Sequence, residues 1–214
     1  MRADAQHQCA IYIDLEWNCW DGPPIPGRHQ DVIEIGVVEL DLDRLEPTRE
    51  KDYLIRPRHL DISVACTQIT GLTADDLKSA PSFEAVMEQF ENDFNPREKL
   101  CCTWGSDTRV LASACGRHKI PCPLRNNLDV CRLFWHSFLL REQPSLRNAI
   151  EIAGLPFDGI AHTALGDARN TALVHTEVIR RIRRQPISTQ VQPSTSEASR
   201  PTLLAEKLRH LSNR

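Results

Sequence analysis

Two carboxylates lie two positions apart near the end of the apolar run CAIYIDLEW at residues 9–17. If this run is a β-strand, Asp14 and Glu16 point to the same face, because side chains alternate along a strand. Their neighbours Ile13 and Leu15 indicate a buried surround, where an uncompensated charge is costly. A solvated strand end is the simple alternative, but the apolar surround favours a cation held between the two carboxylates.

Two further acidic residues and a histidine occupy junctions where strands lead into helices. Asp107 follows the apolar stretch KLCCTWG, and His162 and Asp167 lie in HTALGDARNTA, at the start of a helical pattern. Taken singly, Asp107 is best interpreted as a helix cap, since a carboxylate there accepts backbone N–H groups and complements the helix dipole. A histidine in a surface loop is likewise common. The whole set, in this order, nevertheless predicts one acidic site with a histidine beside it.

The hydrophobic pattern predicts the elements that must position these residues. Three strands come first, at residues 9–17, 31–41 and 51–57. Short connections favour an antiparallel meander for them, and Pro57 stops the third. The pattern then predicts a helix at 80–94, a strand at 99–105, a helix at 106–119 and a last helix from Leu165 to Ile182. Strands in a meander followed by strands alternating with helices predict a mixed-sheet α/β domain over residues 8–184.

The acidic residues in this order resemble the motifs of the DEDDh exonucleases, a DnaQ-like superfamily with an RNase H-like fold. Asp14 and Glu16 match the first motif, Asp107 the second, and His162 with Asp167 the third. The segments CTQITGLTADDLKSAPSFEAVMEQF and HTALGDARNTA look most like the Eri-type branch, whose members trim small interfering RNA, histone-mRNA stem-loops and ribosomal RNA ends. The resemblance spans nearly the whole domain and implies a mixed five-stranded sheet flanked by helices.

The same resemblance implies a metal-dependent 3′→5′ exonuclease that releases 5′-mononucleotides. Asp14, Glu16, Asp107 and Asp167 are implied to hold two Mg²⁺ ions, for which Mn²⁺ can substitute, and His162 is implied to be the general base. Hard divalent cations prefer oxygen ligands, and a pair of them activates water and stabilises the leaving 3′-oxygen. An imidazole is able to accept a proton from that water near neutral pH.

Residues that would hold the 3′ end lie close to the motifs in sequence. Gly71 and Leu72, in ITGLT, resemble a family segment whose apolar residue packs on the terminal base, with the glycine permitting the turn. A simple turn before a helix is the alternative. Trp17 and Asn18 directly follow the first motif, where many relatives carry small residues or threonine that contact the terminal nucleotide. Trp17 also offers a surface for base stacking.

Composition narrows the class of protein. The 214 residues are 41% hydrophobic and 26% charged, with a formal charge of −3, which is typical of a soluble domain. The N-terminus shows no signal-peptide pattern, and no apolar run approaches the roughly 18 residues of a membrane span. We therefore expect a cytoplasmic protein without a membrane partner. The eight cysteines include no CxxC pair, and we expect reduced thiols in place of a zinc site.

The last thirty residues differ in character from the domain. Residues 185–202 are rich in Ser, Thr, Gln and Pro, which is typical of a disordered linker. Residues 203–214 carry leucines at helical spacing and predict a short amphipathic helix. Its role, as a free tail or as a docking element for the domain or a second subunit, stays open, and so does the oligomeric state.

Three functional hypotheses follow from these observations. The first is an exoribonuclease acting on 3′ ends of single-stranded RNA or short overhangs, with a partner protein supplying any targeting. The second is a DNA exonuclease of the proofreading or repair kind, because the acidic core does not choose the sugar and only a contact to the 2′-OH would. The third is a nucleic-acid-binding module without turnover. Occupation of all five catalytic positions argues against this third hypothesis.

Overall fold

A single mixed sheet of five strands organises the computed structural model, which describes residues 8–20, 27, 29–159 and 162–184. The strands are β1 (Cys9–Trp17), β2 (Val32–Asp41), β3 (Glu46–Leu54), β4 (Leu100–Thr103) and β5 (Asn126–Asp129). Their order across the sheet is β3-β2-β1-β4-β5. The first three strands are antiparallel to one another, whereas β4 runs parallel to β1 and β5 parallel to β4. The predicted meander and the mixed five-stranded sheet are confirmed.

Helices connect the later strands and cover both faces of the sheet. They are α1 (Val64–Thr70), α2 (Ala74–Leu77), α3 (Phe83–Phe94), α4 (Asp107–Arg117), α5 (Val130–Ser137), α6 (Leu146–Ala153) and α7 (Ala164–Arg184). Ser63, Ser82 and Ser145 begin α1, α3 and α6 by accepting the backbone N–H three residues further on, as preferred N-cap residues do. Within the described residues, no helix combines the length and the apolar character needed to cross a membrane.

The third strand differs from its prediction at both ends. It begins at Glu46, five residues before the predicted start at residue 51, and it ends at Leu54, before Pro57 is reached. Every residue of β3 before Tyr53 is exposed, because β3 forms an edge of the sheet. An exposed edge strand shows no apolar alternation, so its first half gave no signal in the sequence. The predicted linker at 185–202 and tail helix at 203–214 lie outside the described residues.

Alternate side chains of β1 enter two different cores. Ile11, Ile13 and Leu15 belong to a cluster that includes residues of α3 and α4, such as Phe90 and Leu111. On the opposite face, β1 packs against residues of α5, α6 and α7. Because both faces of β1 are covered by a core, apolar residues predominate on both sides of the strand.

The face covered by α7 changes from apolar to acidic along β1. Ala10 and Tyr12 belong to its core, and the alternation of side chains places Asp14 and Glu16 next on the same face. The Tyr12 hydroxyl shares a 2.7 Å hydrogen bond with Nδ1 of His175, which ties the middle of α7 to β1. The two carboxylates therefore continue a stripe whose apolar part is held by α7.

Candidate active site

The residues predicted from the motifs meet in one cleft of about 430 Å³ at the carboxyl end of β1. Asp14 and Glu16 come from β1, Asp107 is the first residue of α4 directly after β4, and Asp167 lies in the first turn of α7. Because β1 and β4 are parallel neighbours, they deliver their acidic residues to the same edge of the sheet. His162, just before α7, lines the same cleft.

His162 and Asp167 form a local structure at the mouth of the cleft. The backbone N–H of His162 donates to Oδ2 of Asp167 at 3.2 Å, and His162 has a φ of 64°. A left-handed backbone is uncommon for residues other than glycine and is often found at functional sites. One ligand atom each of Glu16, His162 and Asp167 lie within 4.8 Å of one another. The imidazole thus shares a common space with two of the carboxylates.

Burial and mutual repulsion raise the pKa values of the carboxyl groups in the acidic cluster. Burial, followed by the charges of Asp107 and Asp167, raises the pKa of Asp14 well above its usual value. Burial and the neighbouring carboxylates raise the pKa of Glu16 to about 8, and burial is the main cause that raises the pKa of Asp107 to about 7. A bound divalent cation would remove this cost, and oxygen donors are the set that a hard cation prefers.

Asp107 does not occupy the N-cap position of α4, although it lies in the first turn of that helix. Ser106 occupies the N-cap position of α4, and its side chain makes no capping hydrogen bond. Asp107 is the first helical residue, and only 6% of its surface is exposed. Its carboxylate lines the cleft with Asp14, so the motif interpretation gives the better account of this residue.

Glu34 is a buried carboxylate beside the site that the sequence did not single out. It lies on β2 directly across from Glu16 and is 4% exposed. Burial and the charge of Asp52 raise the pKa of Glu34 to about 8. Its Oε2 accepts the backbone N–H of Ala164, the first residue of α7, at 3.1 Å. The argument applied to β1 would have found it, since an acidic residue between Ile33 and Ile35 is equally out of place.

Apolar side chains form the walls of the cleft. Trp17 and Trp104 line it on the sheet side, and Ile69, the last but one residue of α1, lines it with 49% of its surface exposed. Trp104 also packs against Phe134, with ring centroids 6.2 Å apart. The cleft therefore places carboxylates beside apolar and aromatic side chains. Such a lining is suited to a nucleotide, which has an apolar base and a charged phosphate.

The other residues predicted to hold substrate occupy positions around this wall. Gly71 ends α1 with a φ of 77°, which supplies the expected turn. Leu72 is half-buried against a small cluster that contains Ile33, Cys66 and Leu77. Asn18 is buried, and its Oδ1 accepts the backbone N–H of Asp31 at 2.7 Å. Neither Leu72 nor Asn18 is among the residues that line the cleft, so their contact with substrate stays a prediction.

Comparison with protein families identifies the family to which this chain belongs. The RNase_T family model, described as Exonuclease, matches residues 11–175, a range that contains all five motif residues. The chain therefore belongs to this exonuclease family. The exonuclease family expected from the motifs is thereby confirmed.

The relatives are exoribonucleases by name. ERI1 exoribonuclease 2 of Danio rerio is 30% identical over 95% of this chain and 41% of its own length. The 3'-5' exoribonuclease 1 of Mus musculus is 24% identical over 82% of this chain and 54% of its own length. The chain thus spans about half the length of these curated relatives.

Solved structures share the fold. The nuclease domain of 3'hExo, a DEDDh family member crystallised with rAMP, superposes with a TM-score of 0.74 at 24% identity, covering 84% of this chain and 95% of that domain. A 3'-exonuclease bound to a histone mRNA stem-loop gives a TM-score of 0.74 at 22% identity, covering 83% of this chain and 65% of that chain. The RNase H-like fold predicted from the sequence is confirmed.

Proposed function

We propose that this chain is a metal-dependent 3′→5′ exoribonuclease that removes 5′-mononucleotides from the 3′-OH end of single-stranded RNA or a short overhang. The convergence of Asp14, Glu16, Asp107, Asp167 and His162 in one cleft carries the proposal. The names of the relatives favour RNA over DNA as the substrate. A cleft of this kind recognises an end and not a sequence, so we expect a partner protein to select the RNA.

The four carboxylates Asp14, Glu16, Asp107 and Asp167 would hold two Mg²⁺ ions, or Mn²⁺ in their place. Bound there, the ions would supply an activated water and would stabilise negative charge on the leaving 3′-oxygen. The donor set fits this role, because it offers oxygen atoms only and its pKa values are raised by burial and mutual repulsion. Bound cations would in turn favour the ionised form of the four carboxylates.

His162 is proposed as the general base. Its imidazole is exposed beside the cleft, and its backbone is held by Asp167 through the 3.2 Å hydrogen bond. An imidazole in this position accepts a proton from the attacking water while the carboxylates remain occupied with the cations. A nitrogen of the imidazole lies within 4.8 Å of carboxylate oxygens of Glu16 and Asp167, so the base and the proposed metal ligands face the same space.

The apolar wall is proposed to hold the terminal nucleoside. Trp17 and Ile69 provide contact surfaces for the base and sugar, and Gly71 and Leu72 would complete this pocket. A base stacked on an aromatic ring contributes about 1–3 kcal/mol without regard to sequence. Asn18 would support the pocket from behind through its hydrogen bond to the β2 end of the loop.

Arg147 is proposed to contact a substrate phosphate. It follows Leu146, which lines the cleft, and its positive charge partly offsets the rise that burial causes in the pKa of Asp167. The guanidinium lies 5.1 Å from the centre of the Phe157 ring, an arrangement that leaves its hydrogen-bond donors available. Its position in the first turn of α6 is unfavourable for a cation with respect to the helix dipole, which argues for a role outside the helix.

Matched RNA and DNA oligonucleotides test the proposal, each with a 5′ label, incubated with Mg²⁺, with Mn²⁺ or with EDTA. We expect RNA to shorten stepwise from the 3′ end only when a divalent ion is present. A 3′-phosphate should block the reaction, and circular RNA should survive. Cleavage of the circle would identify an endonuclease, and faster loss of DNA would favour the proofreading or repair hypothesis. Binding without any cleavage would leave only the binding module.

A further inference from the structure

We propose that Glu34 is a positioning residue, whose carboxyl group fixes the first turn of α7 and thereby the place of Asp167 and His162 in the cleft. The inference rests on the proposed function for the roles of these two residues. Its structural part concerns the contact between β2 and α7.

The first contact is a hydrogen bond to the free end of the helix. The first N–H groups of a helix lack partners within it and need acceptors from elsewhere. Thr163 Oγ1 accepts the N–H of Gly166, as an N-cap side chain does, at 3.3 Å. The N–H of Ala164 is instead bonded by Oε2 of Glu34, from a strand 130 residues earlier in the chain. This long-range bond ties the start of α7 to β2.

The second contact is a close approach of backbones. Gly36 lies two residues after Glu34, on the same face of β2. A Cβ at Gly36 would lie 2.1 Å from both the carbonyl carbon of Ala164 and the nitrogen of Leu165. The first turn of α7 therefore rests directly on the strand at Gly36 and is bonded to it at Glu34. Asp167 follows within that turn, so its carboxylate is located by both contacts.

The third contact fixes Glu34 itself. The carboxyl group of Asp52, on the exposed edge strand β3, is hydrogen-bonded to that of Glu34. Glu34 is thus held between Asp52 and Ala164, and its side chain has little freedom to rotate.

A direct role as a fifth metal ligand is the competing explanation, because Glu34 lies across from Glu16. The contacts favour positioning, since one oxygen of Glu34 already accepts the Ala164 N–H and the carboxyl group is bonded to Asp52. The two roles make different demands on chemistry. A positioning group needs an acceptor for the N–H and a bond to Asp52, whereas a ligand needs a charged oxygen.

Two substitutions separate these roles. Glu34→Gln keeps an acceptor for Ala164 and gains a donor for Asp52, whereas Glu34→Leu fills the space without either. The matched control is Glu50→Gln, which breaks an exposed ion pair between β3 and Arg169 of α7 and does not reach the cleft. Mn²⁺ affinity is measured by calorimetry, exchange of the Ala164 amide proton by NMR, and RNA hydrolysis by the kinetic parameters kcat and KM.

We expect Glu34→Leu to bind Mn²⁺ about 10–100-fold more weakly, the usual effect of losing a group that orients ligands. Its Ala164 amide should exchange faster, and the loss in hydrolysis should fall on kcat with KM little changed. Glu34→Gln should retain most of the Mn²⁺ affinity, and its Ala164 amide proton should still exchange slowly. Glu50→Gln should behave as the wild type in both measurements.

Two results would overturn the proposal. Wild-type Mn²⁺ affinity in Glu34→Leu would show that the contact positions nothing, and an equal loss in Glu34→Gln would make Glu34 a ligand. Should Glu34→Leu fail to fold, the Gln variant still decides between the two roles. The affinity and exchange measurements need no RNA, so a failure of the proposed exonuclease activity is seen separately from a failure of this inference.

Discussion

Asp14 and Gly36 are direct partners across the antiparallel ladder of β1 and β2. Directly opposite residues in such a ladder lie about 4.5–5.5 Å apart, and Gly36 is the point on which the first turn of α7 rests. Asp14 is a proposed metal ligand on β1, and α7 carries the proposed ligand Asp167. Asp14 and α7 therefore come together at Gly36, which has no side chain. The geometry of the acidic cluster depends on this backbone contact.

Gly36→Ala should damage both stability and activity. The new Cβ would lie 2.1 Å from backbone atoms that have no flexible end to move, so α7 must shift away from β2. Overpacking of this kind costs about 1–3 kcal/mol of unfolding free energy, which urea denaturation measures. Gly116→Ala is the control, because nothing lies within 4 Å of that site in α4 and alanine favours a helix. Equal stability of the two variants would contradict the close approach at Gly36.

Asp14→Asn should abolish hydrolysis and preserve the fold. The substitution replaces one carboxylate oxygen, a proposed metal ligand, with an amide nitrogen. We expect the rate to fall by more than the roughly 100-fold that marks the upper range for residues that only support a metal ligand. Without divalent metal the melting temperature should hold or rise, because burial and repulsion raise the pKa of Asp14 and the substitution removes that cost. Asp75→Asn, at an exposed ion pair with Lys78, is the control for both measurements. Near-normal turnover of Asp14→Asn in Mg²⁺ would exclude Asp14 as a ligand.

Stability in EDTA should fall as the pH rises. Burial raises the pKa of Glu16 from its ordinary 4.5 to about 8. The folded protein then binds more protons than the unfolded chain between these values, so the unfolding free energy decreases with pH across this window. Below pH 4.5 Glu16 is protonated in both the folded and the unfolded state, so its contribution to the unfolding free energy no longer changes with pH. Melting temperatures measured in EDTA across the window test this, and Mn²⁺ or the variant Glu16→Gln should reduce the slope. Glu88→Gln, at an exposed site of α3, should leave the slope unchanged.

His162→Ala should separate a base from a ligand. Loss of a general base lowers a rate by about 10²–10⁴-fold, and a site built from oxygen ligands keeps its metal affinity. Single-turnover hydrolysis and Mn²⁺ calorimetry on the same variant measure the two effects, with the exposed His59→Ala as control. A matching fall in Mn²⁺ affinity would mean that the imidazole joins Glu16 and Asp167 in binding the ion.

Ile69→Ala and Leu72→Ala form a matched pair for the substrate pocket. Ile69 is 49% exposed and lines the cleft, so its truncation should raise KM for RNA and leave the melting temperature unchanged. Leu72 packs with Ile33, Cys66 and Leu77, and its truncation should lower the unfolding free energy by about 2 kcal/mol. The reverse pattern would make Leu72 the principal contact with the terminal base.

The acidic pair of β1 was predictable because it breaks a local rule of its element, and the other proposed site residues because they complete the motifs in sequence order. Asp14 and Glu16 interrupt a buried alternation, and Asp107 and Asp167 stand where strands or loops enter helices. Such exceptions are visible within a dozen residues. The same holds for β1, whose apolar alternation gave both of its ends correctly.

Long-range features were not predictable in this way. Glu34 acquires its partner Ala164 only through folding across 130 residues. The first half of β3 is a strand because β2 offers it a ladder, and its exposed residues carry no sign of this. The fifth strand, Asn126–Asp129, is likewise short and mostly polar, and it exists by pairing with β4. Pairing and tertiary contact decide such segments more than their own residues do.

The position of α7 in the chain has a consequence for synthesis on the ribosome. The sheet and three of the four carboxylates are made before residue 162, whereas His162 and Asp167 emerge only with the last described helix. Domains are translated from the N-terminus at about 5–20 residues per second, so the nascent chain passes through a period with an incomplete centre. We therefore expect the proposed nuclease activity to arise only after the final helix has docked on Gly36, when the ribosome has already translated the coding region for the domain.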